Sequence, residues 1–204
     1  MSDILKTYNV SRETIEDLKT YEKLVLEWNN KFNLISKSSI EYIWERHIED
    51  SLQLCNFINL DDKILYDFGS GAGFPAMVIA IVAKRNFPNL EISLIESIGK
   101  KAMFLNVVKD TLKLNVNIYN DRIEKLKLKP ADIVTSRAMA SLDKLLEYSK
   151  PFCNKKTKLI FLKGERWKEE VVEAEKRWFF DYTFDKSLTS ETGCVLQINN
   201  IRRK

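Results

Sequence analysis

Histidine and cysteine are scarce in this sequence of 204 residues, which contains one histidine, three cysteines and no C-x-x-C pair. One histidine and scattered thiols cannot form a zinc site of the usual composition, so we expect no metal. An odd number of dispersed cysteines is typical of free thiols in a reducing compartment, which predicts a cytoplasmic protein. The three thiols are Cys55, Cys153 and Cys194.

Long apolar runs are also absent. No run of about 18 apolar residues occurs, so we expect no membrane-spanning helix and no membrane partner. The start of the chain, MSDILKTYNV, lacks the basic region followed by an apolar stretch that is typical of a signal peptide. With 45% apolar residues and no internal repeats, the chain is expected to form one compact unit with a sizeable core.

The net charge of +4 is small but unevenly distributed. Residues 1–60 contain 7 basic and 10 acidic side chains, whereas residues 61–204 contain 26 basic and 19 acidic ones. The basic part is compatible with a polyanionic partner such as nucleic acid. A solvated lysine-rich surface would produce the same balance, so charge alone leaves both interpretations open.

The first part of the chain is predicted to form a helical cap. Ser11 can cap a helix whose apolar residues recur at spacings of 3 and 4 and which ends at 33–34. The apolar residues on this helical face are Leu18, Tyr21, Val25, Trp28 and Phe32. A capping box at 38–41 predicts a second helix that continues to Cys55. We therefore expect a helical cap over residues 1–57 and a cofactor-binding core over residues 58–204.

The core is organised around the stretch 64–75, ILYDFGSGAGFP. Its first five residues are apolar except for Asp67 and predict a buried strand. Three of the six glycines follow within 69–73, and after Pro75 the apolar run 76–83 predicts a buried helix. Such a strand, glycine loop and helix cradle a nucleotide, because glycines allow close backbone approach and the helix N-terminus offers free N–H groups.

The spacing within this loop indicates which nucleotide it binds. The dinucleotide fingerprint needs a third glycine where this chain has Phe74. A G-x-G-x-G loop after an acidic residue instead looks like the S-adenosylmethionine (SAM) loop of Rossmann-like methyltransferases. A second carboxylate, Glu96, ends the next predicted strand 23 positions after Gly73, where it could hold the ribose hydroxyls. The cofactor candidates of this segment are Asp67, Gly69, Ser70, Gly71, Gly73, Phe74, Glu96 and Ser97.

The order of strands and helices after the loop predicts the fold class. Further strands are expected at 90–96, 116–119, 131–136, 158–162, 179–184 and 194–198. A helix is expected to begin after Ser97, which would cap it, and to continue to about Leu112. Further helices are expected at 142–148 and 165–178. The pattern favours an α/β fold of the Rossmann-like class I SAM-dependent methyltransferases. We expect a mainly parallel seven-stranded sheet with helices on both faces, an antiparallel final pair and an N-terminal helical extension.

Arg137 follows the fourth predicted strand directly, at the point of the sheet where ligands bind, so we expect it at the reacting centre. The strand ends on Thr-Ser-Arg-Ala and lacks the D/N-P-P-Y/F motif of nucleic-acid amino-group methyltransferases. Cys153, the candidate nucleophile for carbon-5 chemistry, has no obvious activator. A target with its own lone pair, such as guanine N7, would need neither.

Two further groups of polar residues leave alternatives open. His47 lies on an apolar helical stripe and is either a satisfied, partly buried histidine or part of a substrate cleft. The cleft residues would be Arg46, His47, Asp50 and Ser51. Lys100 and Lys101 stand in the first turn of a helix, where cations oppose the helix dipole. They could serve an anionic ligand, or be harmless at an exposed site.

Several separated motifs resemble the bacterial glucose-inhibited division protein B family, the 16S rRNA guanine-N7 methyltransferases that modify a loop near the decoding centre. Together they cover nearly the whole chain. The motifs are Asn33-Leu34, Arg46-His47-Ile48, Asp50-Ser51, Asp67 to Pro75, Glu96-Ser97, Lys100-Lys101, Phe104-Leu105, Arg122-Ile123-Glu124, Ser136-Arg137-Ala138 and Leu162-Lys163-Gly164.

The resemblance implies methyl transfer from SAM to a guanine N7 of 16S rRNA. We expect a monomer that acts on this RNA within the 30S subunit or an assembly intermediate, although the sequence leaves naked rRNA open as the substrate. It implies that Gly69 and Phe74 contact SAM and that Arg137 lies at the junction of cofactor and substrate. The segment Ile123-Glu124 would contact the adenosine. Further RNA candidates from the same motifs are Lys100, Lys101, Arg122 and Lys163. The alternatives are a SAM methyltransferase for another RNA or a small molecule, and a non-catalytic RNA-binding assembly protein.

Overall fold

A computed structural model describes Tyr8 and residues 10–204. Its centre is a seven-stranded sheet of order β3-β2-β1-β4-β5-β7-β6, in which β1 to β5 run parallel and β7 is antiparallel to both of its neighbours. The strands are β1 Ile64–Phe68, β2 Glu91–Ile95, β3 Val116–Tyr119, β4 Ala131–Arg137, β5 Cys153–Lys163, β6 Trp178–Lys186 and β7 Cys194–Arg203. The predicted sheet and its antiparallel final pair are confirmed.

Helices cover both faces of this sheet, as predicted. They are α1 Arg12–Asn29, α2 over 44–57, α3 Ala76–Asn86, α4 Gly99–Leu112, α5 Leu142–Ser149 and α6 Trp167–Glu175. Helix α2 is composite, because it begins as a π-helix and ends as a 3₁₀-helix. Among residues 10–204, none of these helices has the length and apolar character needed to span a bilayer.

The sheet order reverses beside β1, which pairs with β2 on one side and with β4 on the other. In open α/β sheets, ligands bind outside the carboxyl ends of the strands at such a point. The register sets Phe68 beside Ile95 of β2 and beside Ser136 of β4. The loops that follow these three strands therefore start together at one edge of the sheet.

Two hydrophobic clusters pack the two faces of the sheet. Leu65 belongs to the cluster that contains residues of α1 to α4, such as Leu18 and Ile48. The next residue, Tyr66, belongs to the cluster built with α5 and α6. Because α1 and α2 share a cluster with α3 and α4, the N-terminal helices pack as part of the main core. The boundary at residue 57 stays a prediction, and residues 1–7 and Asn9 of the expected cap lie outside the described residues.

The N-terminal helices differ from prediction at their ends. Helix α1 ends at Asn29 and not at 33–34, because the Asn29 side chain accepts hydrogen bonds from Leu34 N (2.8 Å) and Ile35 N (3.0 Å) and stabilises a turn. The capping box predicted at 38–41 does not form. The serines of this segment make a 3₁₀ turn, Lys37–Ser39, in which Ser39 Oγ donates to Ser36 O at 2.8 Å, and helix α2 begins only at 44.

The predicted cap of α4 is also wrong. Helix α4 begins at Gly99 after Ile98, and Ser97 is exposed and makes no capping hydrogen bond. The carboxylate of Glu96 accepts from Ile98 N at 2.7 Å instead, so the acidic residue stabilises this helix start. Helix α6 is shorter than predicted, since Trp178 is buried at the start of β6.

Candidate active site

The glycine loop turns sharply after β1, and its first residues contact the end of β2. Both Gly69 N and Ser70 N donate to Ile95 O, at 2.9 and 3.2 Å. A Cβ at Gly73, whose φ is +98°, would lie 2.6 Å from Met77 Cγ, so glycine is required there for close packing. At Gly71, with φ +57°, a Cβ would meet only Gly69 O at 3.8 Å. The loop is therefore packed tightly at Gly73 and opens onto free space at Gly71.

Tyr21 of helix α1 supports this loop from beneath. Its ring is fully buried, and its hydroxyl donates to Ala72 O at 2.6 Å. The ring also lies 5.2 Å from the ring of Phe74, between centroids. Sequence reasoning placed Tyr21 on the apolar face of α1 but missed this hydrogen bond. No local signal identifies a partner that lies 51 residues away.

Glu96 extends from the end of β2 to the open side of the loop. Its carboxylate is buried and accepts hydrogen bonds from Gly71 N at 2.8 Å and from Ile98 N at 2.7 Å. Each carboxylate oxygen has a second lone pair, so the group can still accept from ligand hydroxyls. The geometry therefore suits a diol at the space beside Gly71.

Asp67 lies beneath the same loop and is fully buried. Its Oδ1 accepts from Thr135 Oγ1 at 2.7 Å, whereas Oδ2 has no hydrogen-bond partner among the described residues. Burial raises the pKa of Asp67 to about 7, although hydrogen bonds from neighbouring hydroxyls and the charge of Arg137 oppose the rise. A buried, unpartnered carboxylate oxygen is costly unless a ligand donor meets it, and a cationic ligand group would favour the ionised form.

Arg137, at the end of β4, joins the loop to helix α2. Its Nη2 lies 2.5 Å from His47 Nδ1, and its Nη1 donates to Arg46 O at 2.8 Å. Asp50 Oδ2 lies 3.5 Å from Nη1. The guanidinium lies 5.2 Å from the centroid of the Phe74 ring. The structure thus brings together residues that the sequence separates by up to 91 positions.

His47 stacks on Phe74, with ring centroids 4.9 Å apart and the rings tilted by 20°. This geometry agrees with the prediction that His47 faces the glycine loop, and not with a histidine whose hydrogen bonds are all satisfied. Its Nε2 is buried and has no partner among the described residues. Burial, followed by the charges of Arg137 and Arg46, lowers the pKa of His47 to about 3. The imidazole is therefore neutral at pH 7.

The other predicted cleft residues of α2 have different roles. Asp50 Oδ1 accepts from Thr189 Oγ1 at 2.8 Å and so ties the loop between β6 and β7 to the helix, a contact that sequence reasoning missed. Ser51 was predicted to line the cleft, which is wrong, because it is fully buried and its hydroxyl donates to His47 O at 2.5 Å. Arg46 contributes its backbone oxygen to Arg137, while its side chain is exposed.

These contacts form one wall of a cleft of about 740 Å³. The ends of β4 and β5 and the loop between β6 and β7 supply the other walls, and the lining includes His47, Asp50, Arg137, Lys163 and Cys194. Lys163 is largely buried, with Nζ 2.6 Å from Glu170 Oε2, so its charge is paired inside the protein. The cleft is therefore next to the glycine loop and is large enough for a nucleobase.

The remaining candidates lie along the same edge of the sheet, after β2 and β3. Lys100 is exposed, with Nζ 5.2 Å from the Phe32 ring, and Lys101 is half-buried. Ile123 is buried in the turn after β3, between exposed Arg122 and Glu124. None of these five side chains lines the cleft of Arg137. Their predicted contacts with adenosine and RNA stay predictions.

Sheet order, glycine loop and strand-end carboxylates define the fold of the class I SAM-dependent methyltransferases. The chain superposes on M. jannaschii TYW2 in complex with AdoMet with a TM-score of 0.57 and 20% identity, over 78% of this chain and 76% of that one. It superposes on a SAM-dependent methyltransferase from Aquifex aeolicus with a TM-score of 0.60 and 14% identity, over 78% and 93% of the two chains. At these identities the likeness concerns the fold.

Sequence comparison defines the family more narrowly. The GidB family model, described as rRNA small subunit methyltransferase G, matches residues 14–198. A ribosomal RNA small subunit methyltransferase G of Orientia tsutsugamushi (strain Ikeda) is 42% identical over 94% of this chain and 93% of its own length. The protein of the same name from Dinoroseobacter shibae is 37% identical over 92% and 96%. The chain belongs to the rRNA small subunit methyltransferase G family, which confirms the predicted resemblance.

Proposed function

We propose that the chain transfers a methyl group from SAM to N7 of one guanine in 16S rRNA, within the 30S subunit or an assembly intermediate, and acts as a cytoplasmic monomer. As a member of this family, the chain is an rRNA methyltransferase that uses SAM. The observation that carries the proposal is the carboxylate of Glu96 at Gly71 N, on the open side of the loop. The buried carboxylate of Asp67, whose Oδ2 has no partner among the described residues, and the cleft of Arg137 lie at the same edge of the sheet.

The residues around the loop fit the cofactor. Glu96 would hold the ribose hydroxyls, and the unpartnered Oδ2 of Asp67 suits the cationic end of SAM. Free space at Gly71 leaves room for the ligand against the backbone. When bound, SAM supplies an electrophilic methyl group on a sulfonium centre. The protein's task is then to hold the acceptor atom in line with that methyl group.

The side chains in the cleft favour an acceptor that needs no activation. The lowered pKa of His47, about 3, makes it a poor general base. Cys194 lines the cleft, but burial raises the pKa of its thiol to about 11, so it is a poor nucleophile for carbon-5 chemistry. Burial likewise raises the pKa of Cys153 to about 11. Guanine N7 has a free lone pair at pH 7 and requires only positioning.

Methyl transfer with labelled cofactor tests this proposal. Purified protein is incubated with radiolabelled SAM and 30S subunits from a strain that lacks the activity, and the 16S rRNA is then cleaved at 7-methylguanine. We expect one labelled guanine that is sensitive to this cleavage. Naked 16S rRNA and isolated assembly intermediates, assayed in parallel, identify the preferred form of the substrate.

Other outcomes would replace the proposal in part or in whole. Label on another atom or base would retain an rRNA methyltransferase but refute N7 as its target. If SAM binds and no rRNA is labelled, other RNAs and small molecules become the acceptors to test. A chain that binds RNA but not SAM would be an assembly protein that retains the fold.

A further inference from the structure

The hydrogen bond between His47 and Arg137 fixes the tautomer of the histidine. Arg137 Nη2 lies 2.5 Å from His47 Nδ1. A guanidinium has only donors, so Nδ1 must accept and cannot carry the hydrogen. The imidazole is neutral at pH 7, since its pKa is about 3. Its single N–H is therefore at Nε2, where it is a donor.

This Nε2–H donor has no acceptor among the residues that the structure describes. It is buried and makes no hydrogen bond to any described residue. The ring that holds it forms part of the cleft wall and is kept in place by its stacking on Phe74. By contrast, both terminal nitrogens of Arg137 already contact acceptors on α2. A fixed donor of this kind suits an acceptor atom on the substrate.

We propose that His47 Nε2–H donates a hydrogen bond to O6 of the target guanine and thereby selects guanine over adenine. The inference rests on the proposed guanine-N7 activity. N7 and O6 lie side by side on one edge of guanine, so a donor at O6 orients the base and leaves the N7 lone pair free. Adenine carries an amino donor at the same place, which would oppose the donor of His47. Because Nε2 is covered in the structure, it can reach O6 only if part of the cleft wall moves when the base enters.

Two substitutions by amide residues distinguish the role of His47 Nδ1 from that of Nε2. In His47→Asn, the amide oxygen can replace Nδ1 as the acceptor for Arg137, but no donor reaches the position of Nε2. In His47→Gln, the amide nitrogen can reach that position and donate. The substrate is 16S rRNA with its methylated guanine mapped, or the same RNA with 2-aminopurine at that position. This purine keeps N7 and lacks O6.

We expect wild-type protein to lose about tenfold in kcat/KM on 2-aminopurine RNA, the value of one hydrogen bond. The His47→Asn variant should have a kcat/KM on guanine RNA about tenfold below that of the wild-type protein. Its kcat/KM should not fall further when 2-aminopurine replaces the guanine. His47→Gln should keep part of the discrimination between the two RNAs. The SAM affinity and the unfolding midpoint of each variant, measured separately, show whether the substitution affects only the substrate.

The same experiment contains the results that would overturn the inference. If the wild-type protein methylates both RNAs equally well, no residue recognises guanine by a hydrogen bond to O6. If His47→Asn discriminates as well as the wild-type protein, another group reads O6, and His47 only positions Arg137. If the wild-type protein labels an atom other than guanine N7, the proposed function itself fails. Labelling of guanine N7 without discrimination would refute the role of His47 alone.

Discussion

Replacement of Gly71 by alanine tests the cofactor site while it leaves the fold nearly intact. Among the described residues, the added Cβ would meet only Gly69 O, at 3.8 Å, so it causes no clash with them. The φ of +57° lies in the left-handed region, which costs an alanine about 1–2 kcal/mol. The backbone N–H of residue 71, which donates a hydrogen bond to the Glu96 carboxylate, is retained. The free energy of unfolding should therefore fall by only about 1–2 kcal/mol.

The same substitution should also weaken SAM binding, by a separate effect of similar size. The methyl group would project into the space that we assign to the cofactor, and overpacking of this kind costs about 1–3 kcal/mol. That corresponds to a roughly 5- to 150-fold loss of affinity, which calorimetric titration with SAM measures directly. Gly164→Ala is the control for an added methyl group, because a Cβ at Gly164 meets no atom of the described residues within 4 Å and its φ lies outside the left-handed region. A folded Gly71→Ala protein with wild-type SAM affinity would refute the loop as the cofactor site.

Three further substitutions test the support of the loop by Tyr21, the protonation of Asp67 and the contacts of two lysines with RNA. Tyr21→Phe leaves Ala72 O without its buried donor, and the free energy of unfolding in a denaturant titration should fall by about 1–3 kcal/mol. Asp67→Asn should remove a pH dependence. With a pKa of about 7, Asp67 keeps a proton in the folded state that the unfolded chain releases near the ordinary aspartate pKa of 3.8. The contribution of Asp67 to stability is therefore lost as pH rises from about 4 to about 7. Replacement of Lys100 and Lys101 by alanine should weaken RNA binding and reduce the slope of log K against log salt by about 1.5.

Each of these expectations has a result that would contradict it. Unchanged stability of Tyr21→Phe, with exposed Tyr42→Phe as the matched control, would mean that the hydroxyl does not hold the loop. Stability profiles of wild type and Asp67→Asn that run parallel between pH 4 and pH 7 would exclude a protonated Asp67. A loss of RNA affinity that is the same at all salt concentrations would show that the two lysines do not contact phosphates.

The strand, loop and helix around Gly71 could be predicted because their signals are local. Buried strands and helices appear as apolar runs, and the glycines lie where a positive φ or close packing requires them. The carboxylates of Asp67 and Glu96 could be singled out for the same reason, since each lies within one residue of the end of a strand that the apolar pattern marks. Arg137 could likewise be placed at the sheet edge, because it directly follows the predicted strand 131–136; in the structure it is the last residue of β4.

The contacts that assemble the cleft carry no local signal. Asp50 reaches Thr189 across 139 positions, and the pairing follows only from the folded arrangement of α2 against the loop between β6 and β7. The error at Ser51 had an available signal, because a serine four residues after His47 on a helix often donates to the i−4 backbone oxygen. The error at Ser97 arose because the neighbouring carboxylate of Glu96 competes for the same helix start.

A crystal structure of the chain with S-adenosylhomocysteine would show whether the glycine loop is the cofactor site. We expect ribose hydroxyls on the Glu96 carboxylate, the ligand backbone against Gly71, and the ligand amino group on the Asp67 side of the loop. We also expect the sulfur to face the cleft lined by His47 and Arg137. Ligand density at another edge of the sheet, or a sulfur that points away from this cleft, would contradict the proposed site.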